Sequence, residues 1–176
     1  MHREDLGREA LCLIGELHRF ARWLERSPGA AEDLVQAAFA RALERADELE
    51  DPAKLKSWLF RLLHHLHVDR RRGEVARARF VVLEGGLDDL EDIALGTLDE
   101  SLLRREEARA LADALRHLSD EQRAALVLID GWGYSYEEAG QIVDVPAGTI
   151  RSRVTRARAR VEVLLGDELP AKEKRR

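Results

Sequence analysis

The sequence predicts an all-α protein of two small helical domains joined by an acidic linker, and three observations lead there. The composition is 45% hydrophobic and 36% charged with 12 Gly and only 4 Pro, a soluble and helix-rich balance. Apolar residues recur at spacings of three and four, while alternating β-branched runs bounded by Asn-Gly turns are missing. Charge is unevenly distributed: residues 1–79 hold 15 basic and 14 acidic groups, residues 80–100 hold 0 and 7, and residues 101–176 hold 14 and 13. The middle piece alone accounts for the formal charge of −5.

The first domain, residues 1–79, reads as three amphipathic helices. Leu6 to Arg26 carries Leu13, Leu17, Phe20 and Leu24 at helical spacing and ends in "SPG". Ala30 to Leu49 carries Leu34, Ala38 and Ala42 with Leu43 beside them. Pro52, suited to a first helical turn, opens a third helix running to Arg70, Arg71 and Arg72. Residues 80–100, "FVVLEGGLDDLEDIALGTLDE", hold Gly85, Gly86 and Gly96 and no long apolar stripe, so they read as the linker.

The second domain, 101–168, begins with a helix from Leu102 to Leu118. In "SDEQ" Ser119 can cap the next helix while Gln122 reaches back, and "SYEE" repeats the device with Ser135 and Glu138 after the "DGWGY" break. A short helix Tyr136–Val143, a tight turn through Asp144 to Gly148 and a final helix from Thr149 to about Leu165 give the layout of a helix-turn-helix. Residues 169–176 form a charged tail.

Several classes are excluded. No 18-residue apolar run spans a bilayer, and "MHREDLGREA" has acids where a signal peptide needs an apolar core, so the expectation is a reduced, cytoplasmic protein without membrane insertion. The lone Cys12 reads as a small buried apolar residue. His64, His65, His67 and Asp69 invite a metal, but only His65 and Asp69 share a helix face and two ligands make no site, so no metal or other cofactor is expected. An enzyme is disfavoured because no nucleophile–base pair, glycine-rich phosphate loop or ligand cluster stands out.

The chemistry lies in "VPAGTIRSRVTRARAR", Val145 to Arg160, with five arginines and no acid. Ile150, Val154, Ala157, Val161 and Leu164 form an inward stripe, expected to pack on Ala139, Ile142 and Val145. That leaves Arg151, Thr155 and Arg158 along one edge, Ser152 and Arg156 along the next, and Arg153 and Arg160 on the flank. A solvated face normally interleaves acids at four-residue spacing to relieve repulsion, and none occurs before Glu162. The arginines are expected to face DNA, the earlier ones gripping guanine O6 and N7 in the major groove and the later ones meeting phosphates.

Residues 111–161, "LADALRHLSDEQRAALVLIDGWGYSYEEAGQIVDVPAGTIRSRVTRARARV", resemble region 4 of extracytoplasmic-function (ECF, group 4) sigma factors, above all in Pro146-x-Gly148-Thr149-Ile150-Arg151-Ser152-Arg153 followed by Arg156-Ala157-Arg158. "AAEDLVQAAFARAL" is similar to their region 2.2, and "KLKSWLFRLLHHLHVDRRRG" to the end of region 2.3 with region 2.4. The resemblance implies a sigma-70-family promoter-specificity subunit whose partners are core RNA polymerase (the β′ clamp coiled coil and the β flap), promoter DNA and an anti-sigma factor. It implies polymerase binding by Asp33, Leu34, Val35, Gln36, Phe39 and Arg41, although Leu34 and Phe39 also suit the bundle core. Single-stranded −10 DNA would lie on Lys54, Lys56, Arg61, His64, His65, Arg70, Arg71 and Arg72, cations suited to a melted backbone. The −35 duplex would meet Ser135, Tyr136, Thr149, Arg151, Ser152, Arg153, Thr155, Arg156, Arg158 and Arg160.

Two positions depart from the family pattern. His65 stands where Asn is usual and lacks the amide's donor–acceptor fork, and Ala37 follows Gln36 where an acid is common. Trp58 reads as core in preference to a stacking platform. Two other binding classes remain beside the leading one. A plain helix-turn-helix regulator would not need the "DLVQ" helix or a second basic helix, and a sigma-like decoy of an anti-sigma factor would not need the arginine set.

Overall fold

The computed structural model describes residues 3–25, 27–78 and 102–168, and every described element is helical or a turn. Two compact units emerge, one built around the N-terminal helices together with Gly140–Asp144 and the other around the remaining C-terminal helices. The acidic segment 80–100 and the tail 169–176 lie outside the described residues.

The N-terminal unit contains α1 (Arg3–Cys12), α2 (Ile14–Leu24), α3 (Pro28–Glu44) and α4 (Leu55–Ala78). The helix expected over Leu6–Arg26 is therefore two. At Leu13 the backbone has φ −95° and ψ 0°, and its N–H bonds to Ala10 O, one residue short of the α-helical partner. The break also explains why Cys12 is exposed and not core: Leu6 and Ala10 define the buried face of α1, and Cys12 lies about 200° round from Ala10.

Ser27 caps α3 by accepting from the Ala30 N–H, with Pro28 in the first turn where its missing donor costs nothing. α3 ends at Glu44, and the expected extension to Leu49 is instead a 3-10 turn over Ala46–Glu48. Asp51 accepts from the Ala53 N–H and starts the turn Pro52–Lys54 that leads into α4. Among the core residues, Phe20 of α2 and Phe60 of α4 stack with ring centroids 4.8 Å apart and planes 21° from parallel. Both are fully buried. Phe20→Ala or Phe60→Ala is expected to cost about 3–5 kcal/mol, read by urea unfolding.

A buried polar link joins the same helices. His67 Nδ1 of α4 lies 3.0 Å from Glu25 Oε1 at the end of α2, with side chains only 2% and 7% exposed. Arg70 Nη1 donates to Ala30 O at 3.4 Å, so α4 is fastened to both sides of the α2–α3 turn.

The C-terminal unit begins with α5 (Leu102–Arg116) and α6 (Asp120–Leu126), whose predicted capping box is complete: Gln122 N donates to Ser119 Oγ and Ser119 N to Gln122 Oε1, each at 3.3 Å. A π-helical turn, Val127–Gly131, follows, and Gly133 (φ 70°) closes the break. Then come α7 (Tyr136–Val143) and α8 (Ala147–Glu168). Ser135 N donates to Glu138 Oε2 at 2.8 Å and Glu138 N to Ser135 Oγ at 3.2 Å, the second predicted box. The turn between α7 and α8 passes through Asp144 at φ 58°, a left-handed position that a short polar side chain tolerates.

The Ser135 backbone N–H and hydroxyl hold the Glu138 carboxyl below the usual carboxylate range. Its depressed folded value means that the cap's contribution is present above the ordinary carboxylate pKa and is lost as pH falls through the folded one. An NMR titration should therefore find Glu138 ionising at lower pH than a free glutamate, with Ser135→Ala returning it towards normal.

Candidate nucleic-acid interfaces

On α3 the helical period separates two roles. Leu34 and Val35 are 3% and 2% exposed and belong to the core, whereas Asp33 and Gln36 are exposed and Phe39 is half-buried. Arg41 is exposed and 3.6 Å from Glu44. Ala37 is exposed beside Gln36, so its methyl replaces an acid on open surface.

The basic set on α4 is more restrained than its sequence suggests. Lys54 and Arg61 are exposed, but Lys56 Nζ is 2.5 Å from Glu16 of α2. Arg70 and Arg71 share Glu74, at 3.5 and 3.2 Å. Arg72, 79% exposed, is 4.0 Å from Asp69. His64 is buried and turns away from solvent, while His65 is half-buried. Trp58, expected as core, is half-buried.

On α8 the inward stripe holds over Ile150, Val154 and Ala157, all buried, and opens out at Val161 and Leu164, which are half-buried. Ala139 and Ile142 are also buried; Val145 is half-buried. At about 100° per residue, Ser152, Thr155 and Arg156 lie near the middle of the open face. Arg151 and Arg158 lie on one edge, about 20° apart, and Arg153 and Arg160 on the other. Arg151, Arg156, Arg158 and Arg160 are all exposed.

The hydroxyls of Ser152 and Thr155 donate back to Thr149 O and Arg151 O, both at 2.9 Å. The Arg151 guanidinium lies 5.2 Å from the centroid of the half-buried Tyr136 ring, a cation–π arrangement that aligns the side chain. Arg158 is gripped by both carboxylate oxygens of Asp130, Nε to Oδ2 at 3.0 Å and Nη2 to Oδ1 at 2.5 Å. Those bonds raise its pKa further. Arg156 and Arg160 make no hydrogen bond or ion pair among the described residues.

Sequence reasoning missed five acids that bind these cations. Glu44, Asp69 and Glu74 stand three or four residues from their arginines and could have been found from spacing. Glu16 and Asp130 are 40 and 28 residues from their partners, and no local pattern announces them.

Among the described residues there is no group of three or more His, Cys, Asp or Glu arranged to hold a metal ion. No described helix is long and apolar enough to cross a membrane.

Two family models match, "Sigma-70 region 2" over residues 12–77 and "Sigma-70, region 4" over residues 108–161. The chain is similar to the ECF RNA polymerase sigma factor EcfG of Rhodopseudomonas palustris, 33% identical over 162 residues that cover 92% of this chain and 86% of that one. It is also similar to the ECF RNA polymerase sigma factor SigM of Mycobacterium tuberculosis, 35% identical over 151 residues, 86% of this chain and 72% of that one. Among solved structures, the sigma factor RpoE in complex with the anti-sigma factor NepR from Bartonella quintana superposes with a TM-score of 0.75 at 34% identity, covering 94% of this chain and 99% of that one.

Proposed function

Because this chain belongs to the ECF RNA polymerase sigma factors of the sigma-70 family, we propose that it binds core RNA polymerase and directs initiation at promoters carrying its own −10 and −35 elements. It supplies recognition, and the nucleotidyl transfer belongs to the polymerase. The observation that carries the reading is the pairing on one chain of a polar α3 face clear of its bundle core with an arginine face on α8, a helix that itself holds no acid before Glu162, clear of its own.

Asp33, Gln36 and Arg41, with the half-open Phe39, meet the β′ clamp coiled coil; Leu34 and Val35 act from the core. Lys54, Arg61, His65 and Arg72 follow the melted −10 strand, joined by Lys56, Arg70 and Arg71 where a phosphate displaces an acid. His64 drops out of that set because it is buried. Ser135, Tyr136, Thr149, Ser152, Arg153 and Thr155 frame the −35 duplex around Arg151, Arg156 and Arg160, joined by Arg158 only where a phosphate displaces Asp130, and the β flap holds this domain upstream. Residues 1–79 and 101–168 are the two functional domains and 80–100 their linker. The likeness to a sigma factor held by an anti-sigma factor supports a partner of that kind, and a subunit that serves RNA polymerase in initiation acts in the cytoplasm.

The test is transcription in vitro with core polymerase on a promoter library. Enrichment of one −10/−35 pair is expected, and transcripts no different from those of core enzyme alone would refute the assignment. Binding to a −35 duplex should weaken steeply between about 50 and 200 mM salt, since each neutralised phosphate adds ~0.9 to the slope of log K against log salt.

A further inference from the structure

Asp130 has no place in the recognition scheme above, yet it is bound to one of its arginines. The π-helical turn Val127–Gly131 carries it, and such turns re-aim side chains relative to an α-helix. Here both carboxylate oxygens grip the Nε–Nη2 edge of Arg158. The pair is open to water, with side chains 53% and 43% exposed.

An exposed ion pair of this sort adds little to stability, so its effect lies elsewhere. A carboxylate bound through two oxygens to one edge of a guanidinium occupies the position that two phosphate oxygens would take. Arg158 lies on the same edge of α8 as Arg151, about 20° away round the axis and two turns further along. An edge arginine that far along the helix reaches the backbone, not a base. Bringing a phosphate there means displacing Asp130 or tolerating its charge beside the phosphate's own.

We propose that Asp130 is an internal phosphate mimic that occupies the backbone-binding edge of Arg158 and so holds down the sequence-independent part of −35 binding. Arg158 then adds little affinity while Asp130 is present. Weak phosphate binding leaves discrimination to Arg151 and Arg156, whose base contacts no acid contests. The inference rests on α8 docking as proposed above.

The experiment uses holoenzyme assembled from core polymerase and the full chain, titrated with a labelled duplex carrying a −35 element selected by the wild type but no −10 element. A scrambled duplex is the control, and salt is varied. Asp130→Ala should bind both duplexes about threefold to fivefold more tightly, the range of an exposed ion pair, with a salt slope steeper by ~0.9. Adding Arg158→Ala to Asp130→Ala should abolish both the gain in affinity and the steeper salt slope. Asp130→Asn, which keeps the shape without the charge, should behave as Asp130→Ala and covers the case in which alanine perturbs the turn.

Weaker or unchanged binding by both Asp130 variants overturns the proposal. So does tighter binding that persists without Arg158, since that is only a lost negative charge near DNA. If wild-type holoenzyme does not prefer the selected −35 duplex over the scrambled one, the docking of α8 falls, and this inference with it.

Discussion

Replacing Asp33 and Gln36 together by alanine is expected to leave the fold intact and remove most of the affinity for core RNA polymerase. The reason lies in how α3 divides its faces. Leu34, Val35, Ala38 and Ala42 are buried, and Ala31 completes the stripe one turn earlier. Asp33 and Gln36 are exposed, and neither makes a hydrogen bond or ion pair among the described residues. An exposed polar side chain with no hydrogen bond or ion pair in its own domain contributes within about 0.5 kcal/mol to stability. The double variant should therefore melt within a few degrees of wild type by circular dichroism. In the proposed docking of α3 on the polymerase the same two residues lie mid-helix, so losing their desolvated polar contacts is expected to weaken binding by about tenfold or more, ~1.4 kcal/mol at the least. Leu34→Ala gives the contrast: a buried leucine costs about 2–5 kcal/mol of stability, so that variant should lose polymerase binding only as far as it unfolds. An undiminished pull-down by the Asp33→Ala/Gln36→Ala chain, or its failure to fold, would remove α3 as the docking element.

What was legible in the sequence was local. The two capping boxes could be read because each is closed by side chains three residues apart, and the apolar period of α8 placed Ile150, Val154 and Ala157 inside. The same period separated Asp33 from Leu34. The break at Leu13 was not legible, because neither Gly nor Pro marks it and the apolar spacing runs through it. The π-turn after Leu126 was equally silent: Trp132 N–H bonds to Val127 O, a choice among backbone partners that no side-chain pattern records.

The sites divide along the same line. Residue type and face identified the cations, but their partners come from elsewhere in the chain, as with Lys56 and Glu16 or Arg158 and Asp130. Residue type and face alone therefore overstate how many cations are free. His64 is the opposite case: a polar residue in a basic run whose register turns it into the bundle, where it is 8% exposed. Sequence gives the register of a helix well and the depth of a single polar side chain poorly, because depth depends on which neighbouring helix covers it.

Arg151 and Arg156 are expected to carry −35 base discrimination, and Arg160 affinity alone. Arg151 stands in the second turn of α8, steadied over the Tyr136 ring at 5.2 Å, and Arg156 lies near the middle of the open face and has no competing partner among the described residues. Both are within reach of a groove entered by the N-terminal half of the helix, where a bidentate grip on guanine discriminates by about 1–3 kcal/mol against the wrong base. Arg160 lies about 180° round the axis from Arg151 and nine residues, roughly 13 Å, further along, so in the proposed docking it is expected to lie past the groove on the far edge and meet a phosphate. On a panel of single-base −35 variants at fixed salt, Arg151→Ala and Arg156→Ala should each flatten the preference at one position by about fivefold or more. Arg160→Ala should weaken every variant by the same factor and lower the salt slope by ~0.9. Tyr136→Leu removes the ring under Arg151 and should reproduce part of the Arg151→Ala pattern at the same base, whereas Tyr136→Phe keeps the ring face and should retain the preference. Uniform losses from Arg151→Ala and Arg156→Ala, or a base-selective loss from Arg160→Ala, would mean that α8 enters the groove in another orientation, with the Arg153–Arg160 edge turned to the bases.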